Sequence, residues 1–311
     1  MNSPAPRRAR RRWPLVALAL LLIFATGFTV VQANVLGMGD RFERLADRVG
    51  TFIDPPPDRS TIPTVVITAE PSASASPTPA ATLPPSASPT PSPTPLVRAP
   101  VDVKLVEDHE AVFASQITEK DCAVAGTQMV LAVLGLGDTS DAFQTEIHDR
   151  IGEWESLQDS HNGGWGPAAV SLALKSYGAP GYEIRAYDSY TDALRDSAIA
   201  ITEMDQPVVM FPWWGAHTWV MTGYRADADP TLFDDAAISG AYILDPWYPR
   251  VSSIWGPSDG PGNFEDLAEL ERNWPVGTGR DGWTRPGGVY PDRDNKFVVL
   301  VPTIPLDAQG S

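Results

Sequence analysis

A chain of 311 residues has room for about two domains at a typical ~150 residues each, and with 43 % hydrophobic residues it can bury a substantial core. Its single cysteine, Cys122, excludes an internal disulfide, and its four histidines (His109, His148, His161, His217) stand at no zinc-ligand spacing, so neither a metal nor another cofactor is expected. The net charge of −16 is uneven: 10 of the 23 bases but only 6 of the 39 acids precede residue 101, and the 13 bases and 33 acids that follow repel phosphate, which argues against nucleic acid.

Residues 1–12 form a basic N-terminus with five arginines (Arg7, Arg8, Arg10, Arg11, Arg12). Residues 13–35 are expected to be a transmembrane anchor or a signal segment, because Leu15 to Val31 is almost entirely apolar and a membrane helix needs about 20 such residues. The preceding arginines belong in the cytoplasm, which places everything downstream outside. The length of the run favours an anchor, whereas the small-residue pattern around Val31-Gln32-Ala33 fits cleavage; both readings export the remainder. Residues 36–53 read as a juxtamembrane segment, with Phe42, Leu45, Val49 and Phe52 at helical spacing.

Residues 54–100 change character. Of these 47 residues, 14 are proline and 14 are serine or threonine, so the segment lacks the apolar surface to fold and reads as a disordered linker. Fully extended at ~3.1 Å per residue it would approach 150 Å, the reach of a stalk.

Residues 101–311 read as one domain. Asp121 stands as the N-cap of a helix from about Cys122 to Leu134, stopped by Gly135. Further helices are expected over Asp141 to Ile151, Pro167 to Tyr177, and from the Ser189-Tyr190-Thr191-Asp192 capping box to about Met204. Strands are expected over Pro207 to Phe211, Thr218 to Tyr224, Ala241 to Leu244 and Lys296 to Val301. Helices first and strands later, without regular alternation, predict an α+β fold.

A thiol becomes a nucleophile as its thiolate, which a helix N-terminus stabilises through free N–H groups and the helix dipole. Cys122 sits at such a position. His217 follows a turn containing Pro212 and Gly215 and opens a predicted strand, the placement of a base at a sheet edge. A base needs an orienting partner on its second nitrogen, and Asp245, closing the strand Ala241 to Leu244 before Pro246, is the candidate. Gln116, six residues before Cys122, is the candidate oxyanion donor beside the Cys122 amide.

The run Gln116-Ile117-Thr118-Glu119-Lys120-Asp121-Cys122-Ala123 resembles the active-site start of cysteine peptidase family 39, the bacteriocin-leader peptidases of the papain-like superfamily. Pro207 to Phe211 with His217 to Tyr224 resembles that family's histidine strand pair, and Ala241 to Pro246 its aspartate-proline strand end. The resemblance spans about residues 113–250. It implies a papain-like fold, with N-terminal helices packed on an antiparallel sheet, and a peptide or protein substrate. It also implies that Cys122 attacks the scissile carbonyl, His217 moves the proton, Asp245 orients His217, and Gln116 helps hold the oxyanion. The chain departs from the family pattern at Ala123 and Val124, where glycine and proline are usual. No transporter or nucleotide-binding region is read in the chain, so double-glycine leader processing is not carried over.

The function expected is therefore a membrane-anchored or secreted hydrolase of peptide or isopeptide bonds, free of cofactor and acting on a peptide or protein substrate associated with the cell wall. An acyl transferase of transpeptidase or transglutaminase type and a non-catalytic binding module on the same fold are the alternatives. Nine of the ten tryptophans follow residue 150, either framing the cleft or lining a substrate groove. The glycine-rich run Asn162 to Pro167 lacks the lysine and spacing of a phosphate loop, which excludes a nucleotide there and leaves a wall of the cleft as its reading. Residues 256–291, rich in glycine and proline, read as an irregular insertion.

Overall fold

A computed structural model describes residues 49, 53, 62–68, 96–156, 159, 165–275 and 291–306. The chain divides into two compact units, Met1–Pro55 and Pro56–Ser311. In the first, Val49 and Ile53 are described, and both are helical. The expected anchor lies outside the described residues. Among those described, no helix is long and apolar enough to cross a membrane.

In chain order the second unit contains strand β1 (Thr64–Ile67), β2 (Val101–Lys104), helix α1 (Cys122–Val133), α2 (Asp141–Asp149), α3 (Pro167–Ser176) and β3 (Tyr182–Tyr187). Then come α4 (Tyr190–Met204), β4 (Val208–Met210), β5 (Trp219–Ala226), β6 (Ile238–Leu244), β7 (Val251–Ser252), β8 (Gly256–Pro257), β9 (Asn263–Asp266), α5 (Leu267–Asn273) and β10 (Phe297–Pro302). The main sheet runs β1-β3-β10-β4-β5-β6-β9, and β2 pairs with the second half of β5, beyond the stretch that β4 occupies. Its pairings are antiparallel except β1 with β3, which is parallel. The class is α+β.

Both sheet faces are covered. One apolar cluster joins α1 and α3 to alternate strand residues, among them Ile184, Val209, Val220, Val298 and Leu300. A second joins α4 and α5 to the opposite face, through Val208, Met210, Met221, Ile243, Val299 and Val301. This explains why β10 is apolar throughout: Val298 and Leu300 face one layer, Val299 and Val301 the other. Fully burying each such side chain contributes roughly 1.5–3 kcal/mol. The N-terminal helices α1 and α3 thus pack on one face of the sheet, and α4 and α5 close the far side.

Two sequence expectations change. The linker expected over 54–100 includes β1, whose Thr64 to Ile67 register with Ile184 to Tyr187. Its Thr-Val-Val-Ile run has the β-branched composition of a strand, despite the prolines around it. The insertion expected over 256–291 is partly regular, since β9 extends the sheet beside β6 and α5, capped by Asp266, follows it; residues 276–290 lie outside the described residues.

Candidate active site

Helix α1 begins at Cys122. Asp121 occupies the N-cap position but accepts no capping bond from the helix. Its backbone, at φ −84° and ψ 20°, is not the extended conformation of a side-chain cap. The Asp121 carboxylate instead accepts the Thr118 N–H at 3.2 Å and meets His148 Nδ1 at 3.0 Å. It fixes the loop that leads to the helix, and the first-turn N–H groups beside Cys122 are left without a side-chain cap.

Helix α1 lies close against the start of β5 because Gly126, one turn beyond Cys122, has no side chain. A Cβ there would stand 2.6 Å from Thr218 Cγ2. Thr218 adjoins His217, and its hydroxyl donates to Cys122 Sγ at 3.9 Å. Gly126→Ala is therefore expected to push Thr218 away and misplace the thiol. A misplacement of this kind costs up to about 100-fold in rate, and the overpacking about 1–3 kcal/mol of stability. Turnover and thermal melting of the one variant measure both.

His217 is 3 % exposed, and its Nε2 lies 2.6 Å from Asp245 Oδ1. With Nε2 engaged by Asp245, Nδ1 is the nitrogen that remains for a second partner, and Cys122 is near enough to act on the imidazole's charge. Burial works to lower the His217 pKa, but Asp245 and then Cys122 outweigh it and push it up to about 9. The imidazolium is thus favoured at neutral pH. Burial opposes ionisation of Asp245 too, yet His217, the Ser258 hydroxyl and the Trp247 N–H hold its carboxyl below the usual range.

The turn Pro212–Gly215 sets the other walls. Trp213 (φ 55°) and Trp214 (φ 59°) are consecutive left-handed residues, a conformation that costs roughly 1–2 kcal/mol per non-glycine residue. In that conformation the Trp213 ring stacks on His217, with centroids 3.9 Å apart and planes at 16°. The Trp247 ring meets His217 edge-on at 6.4 Å. Trp213 Nε1 donates to Asn273 Oδ1 on α5 at 3.3 Å. Of the two readings of the tryptophans, these particular rings frame the imidazole and keep water from it.

Gln116 is 2 % exposed; its Nε2 donates to Thr118 O at 2.7 Å, leaving one of the two amide hydrogens uncommitted by that bond. The segment that follows Asp245 clasps the Gln116 loop. Gln116 N donates to Pro246 O, Ser115 Oγ to Tyr248 O, and Arg250 Nη2 to both Gln116 O and Ile117 O. Gln144 completes the clasp, accepting from Ile117 N and donating to Ser115 O.

The structure therefore bonds His217 to Asp245, sets Cys122 beside Thr218 next to that pair, and fixes the Gln116 loop to the Asp245 loop. The remaining histidines go elsewhere: His109 bonds Thr222 Oγ1 and stacks on Tyr242, His148 meets Asp121, and His161 lies outside the described residues. Of the glycine-rich run, residues 162–164 also lie outside. Trp165 packs into the core against Trp154 rather than into a cleft wall. Sequence reading did not single out Trp213 for the imidazole face, Ser258, Thr218 or Arg250. Only Trp213 had a signal, its position four residues before His217.

On the Asp245 side of His217 lies a small cleft lined by Trp213, Asp245, Trp255, Ser258 and the acids Asp259, Glu265 and Glu269. Burial, with Glu269 and Asp259 alongside, pushes the Glu265 carboxyl up to about 8.

No family model matches the chain, and no curated protein matches it. Among solved structures it is similar to the crystal structure of a double glycine motif protease from an AMS/PCAT transporter in complex with the leader peptide. The identity is 16 % and the TM-score 0.30, over 61 % of this chain and 91 % of that one. At that score the overlap does not establish a common fold, and the site stands on its own geometry.

Proposed function

We propose that the chain is an exported, membrane-tethered thiol hydrolase of papain-like type, cleaving peptide or isopeptide bonds. The observation that carries this reading is the buried His217–Asp245 contact at 2.6 Å, with Cys122 at the first residue of a helix and close enough to act on the His217 charge. The thiolate of Cys122 attacks the scissile carbonyl, forming the C–S bond as the carbonyl π pair moves onto oxygen. The Cys122 N–H and the Gln116 amide hold that oxyanion. As the oxyanion collapses, the C–N bond breaks and the leaving amine takes the proton from His217 Nδ1. Water then attacks the thioester, His217 accepts its proton, and the carboxylic acid and the thiolate are released. Asp245 keeps the imidazole oriented throughout and stabilises its charged form. The basic N-terminus, the apolar segment over 13–35 and the proline-rich stretch support export and a tether.

The test is alkylation of Cys122 by iodoacetamide across pH. The native protein is expected to react at pH 6–7 about 10- to 100-fold faster than His217→Ala, which lacks the base that takes the thiol proton. Equal rates in the two proteins would remove the activated thiolate, and the hydrolase reading with it.

A further inference from the structure

We propose that Asp259, Glu265 and Glu269 bind a divalent cation of the calcium class in the cleft beside Asp245, clasping the Ser258 loop to the sheet and helix behind it. The three residues come from different elements: Asp259 from the loop between β8 and β9, Glu265 from β9, and Glu269 from the first turn of α5. One carboxylate oxygen from each lies within 4.8 Å of the others. Oxygens bound to a common calcium at about 2.4 Å stand at most about 4.8 Å apart, so the set needs little movement to close on one ion.

Glu265 points to a ligand in its own right. It is 6 % exposed, it lines the cleft, and its Oε2 is buried without a hydrogen-bond partner. A buried carboxylate oxygen left unsatisfied is costly, and a cation removes that cost. None of the described residues lining the cleft is a lysine or arginine. Arg272, 59 % exposed, reaches Glu269 Oε1 without lining the cleft. The hard, all-oxygen donor set suits calcium better than a transition metal. Magnesium is disfavoured because it demands near-ideal octahedral geometry and gives up its water reluctantly.

The position gives the ion a use. Ser258, which lines the cleft with Asp245, immediately precedes Asp259. An ion held by Asp259, Glu265 and Glu269 fixes this loop against β9 and α5, and so holds Ser258 in the cleft wall beside the Asp245 carboxylate. The site requires only this corner of the fold and does not depend on the thiol chemistry.

Trp213, Trp219 and Trp255 also line the cleft, so indole excitation should sensitise terbium bound there. The experiment titrates terbium into the full-length, chelator-stripped protein and then competes it with calcium, magnesium or lysine amide. Saturable luminescence is expected, displaced by calcium and by magnesium only at tenfold or higher concentration. Glu265→Gln and, separately, Asp259→Asn should each weaken terbium binding at least tenfold while melting like the wild type in chelator. The exposed Asp259 keeps the test decisive if Glu265→Gln fails to fold. Absent luminescence, unchanged affinity in a folded variant, or magnesium competing as well as calcium would overturn the proposal. So would displacement by lysine amide but not by calcium, which would make the cleft a pocket for an ammonium group. None of these readouts involves Cys122, so their failure is separable from failure of the hydrolase reading.

Discussion

Asp245→Ala is expected to lower the rate of peptide-bond cleavage by about 10³- to 10⁴-fold, the scale on which an orienting carboxylate acts in catalytic triads. The substitution removes the acceptor 2.6 Å from His217 Nε2 and leaves a 3 %-exposed imidazole whose burial only Cys122 still opposes. Burial lowers the pKa of a histidine, and in the native protein Asp245 is the largest influence opposing it. Without Asp245 burial shifts the imidazole toward its neutral form, the imidazolium that should receive the Cys122 proton is disfavoured, and alkylation at neutral pH should slow. Asp245→Asn separates orientation from charge. Asp245 Oδ1 accepts from both His217 Nε2 and Trp247 N, at 2.6 and 2.8 Å, and an asparagine oxygen can accept both. The asparagine variant should therefore retain more activity than alanine, with its alkylation profile moved toward higher pH. Wild-type activity in Asp245→Ala would remove Asp245 from the mechanism.

The same pair gives a pH signature in stability. The His217 pKa is raised, so its contribution is fully present below about 6.5, the unfolded value, and is lost as pH rises through about 9. The Asp245 pKa is lowered, so its contribution is present above 3.8, the unfolded value, and is lost as the pH falls below it through the depressed folded value. Thermal melting of the native protein relative to Asp245→Ala should show the widest gap between these limits, narrowing from pH 6.5 to 9. A gap independent of pH would mean that the two residues do not form a charged pair.

The candidate site was legible because each member sits at a punctuation mark in the chain: Cys122 at a helix start, His217 just before a strand, Asp245 just after one. Local rules identify such positions. The sheet was less legible. β3 reads Tyr-Glu-Ile-Arg-Ala-Tyr, and its charges obscure the apolar pattern until Arg185 is seen to pair with Glu183 and Asp196. β1 was hidden by the prolines around it, since composition averages over a window wider than four residues. Long-range pairings were hidden as well. Nothing local joins Glu265 to Asp259, or Arg250 to Gln116, before the sheet closes. The stacking of Trp213 on His217 depends on two left-handed residues in a row, a backbone that sequence rules for tryptophan would reject.

The largest expected loss of stability comes from a different long-range pairing. Arg293→Met should destabilise the domain by about 3–5 kcal/mol, the usual cost of breaking a buried ion pair by removing one partner. Arg293 Nη1 and Asp159 Oδ1 meet at 2.7 Å, with side chains 0 % and 1 % exposed. The Asp159 carboxylate accepts the N–H groups of Ala168 and Ala169 through Oδ2, and so holds the first turn of α3. Gly166 makes room for this arrangement, because a Cβ there would stand 1.8 Å from Asp159 O. Arg293 Nε donates in turn to Thr64 Oγ1 on β1. One guanidinium therefore joins the strand before the proline-rich stretch, the helix α3 and the approach to β10. At roughly 2–4 °C per kcal/mol for a domain of this size, the melting temperature should fall by about 10 °C. Asp159→Ala should cost at least as much, because it strands both the arginine and the two helix N–H groups. The double variant Arg293→Met with Asp159→Leu should lose less than the sum of the single losses, since neither charge is left buried alone. Additive losses would show that the two side chains stabilise the fold independently, and that their contact is not what joins β1 to α3.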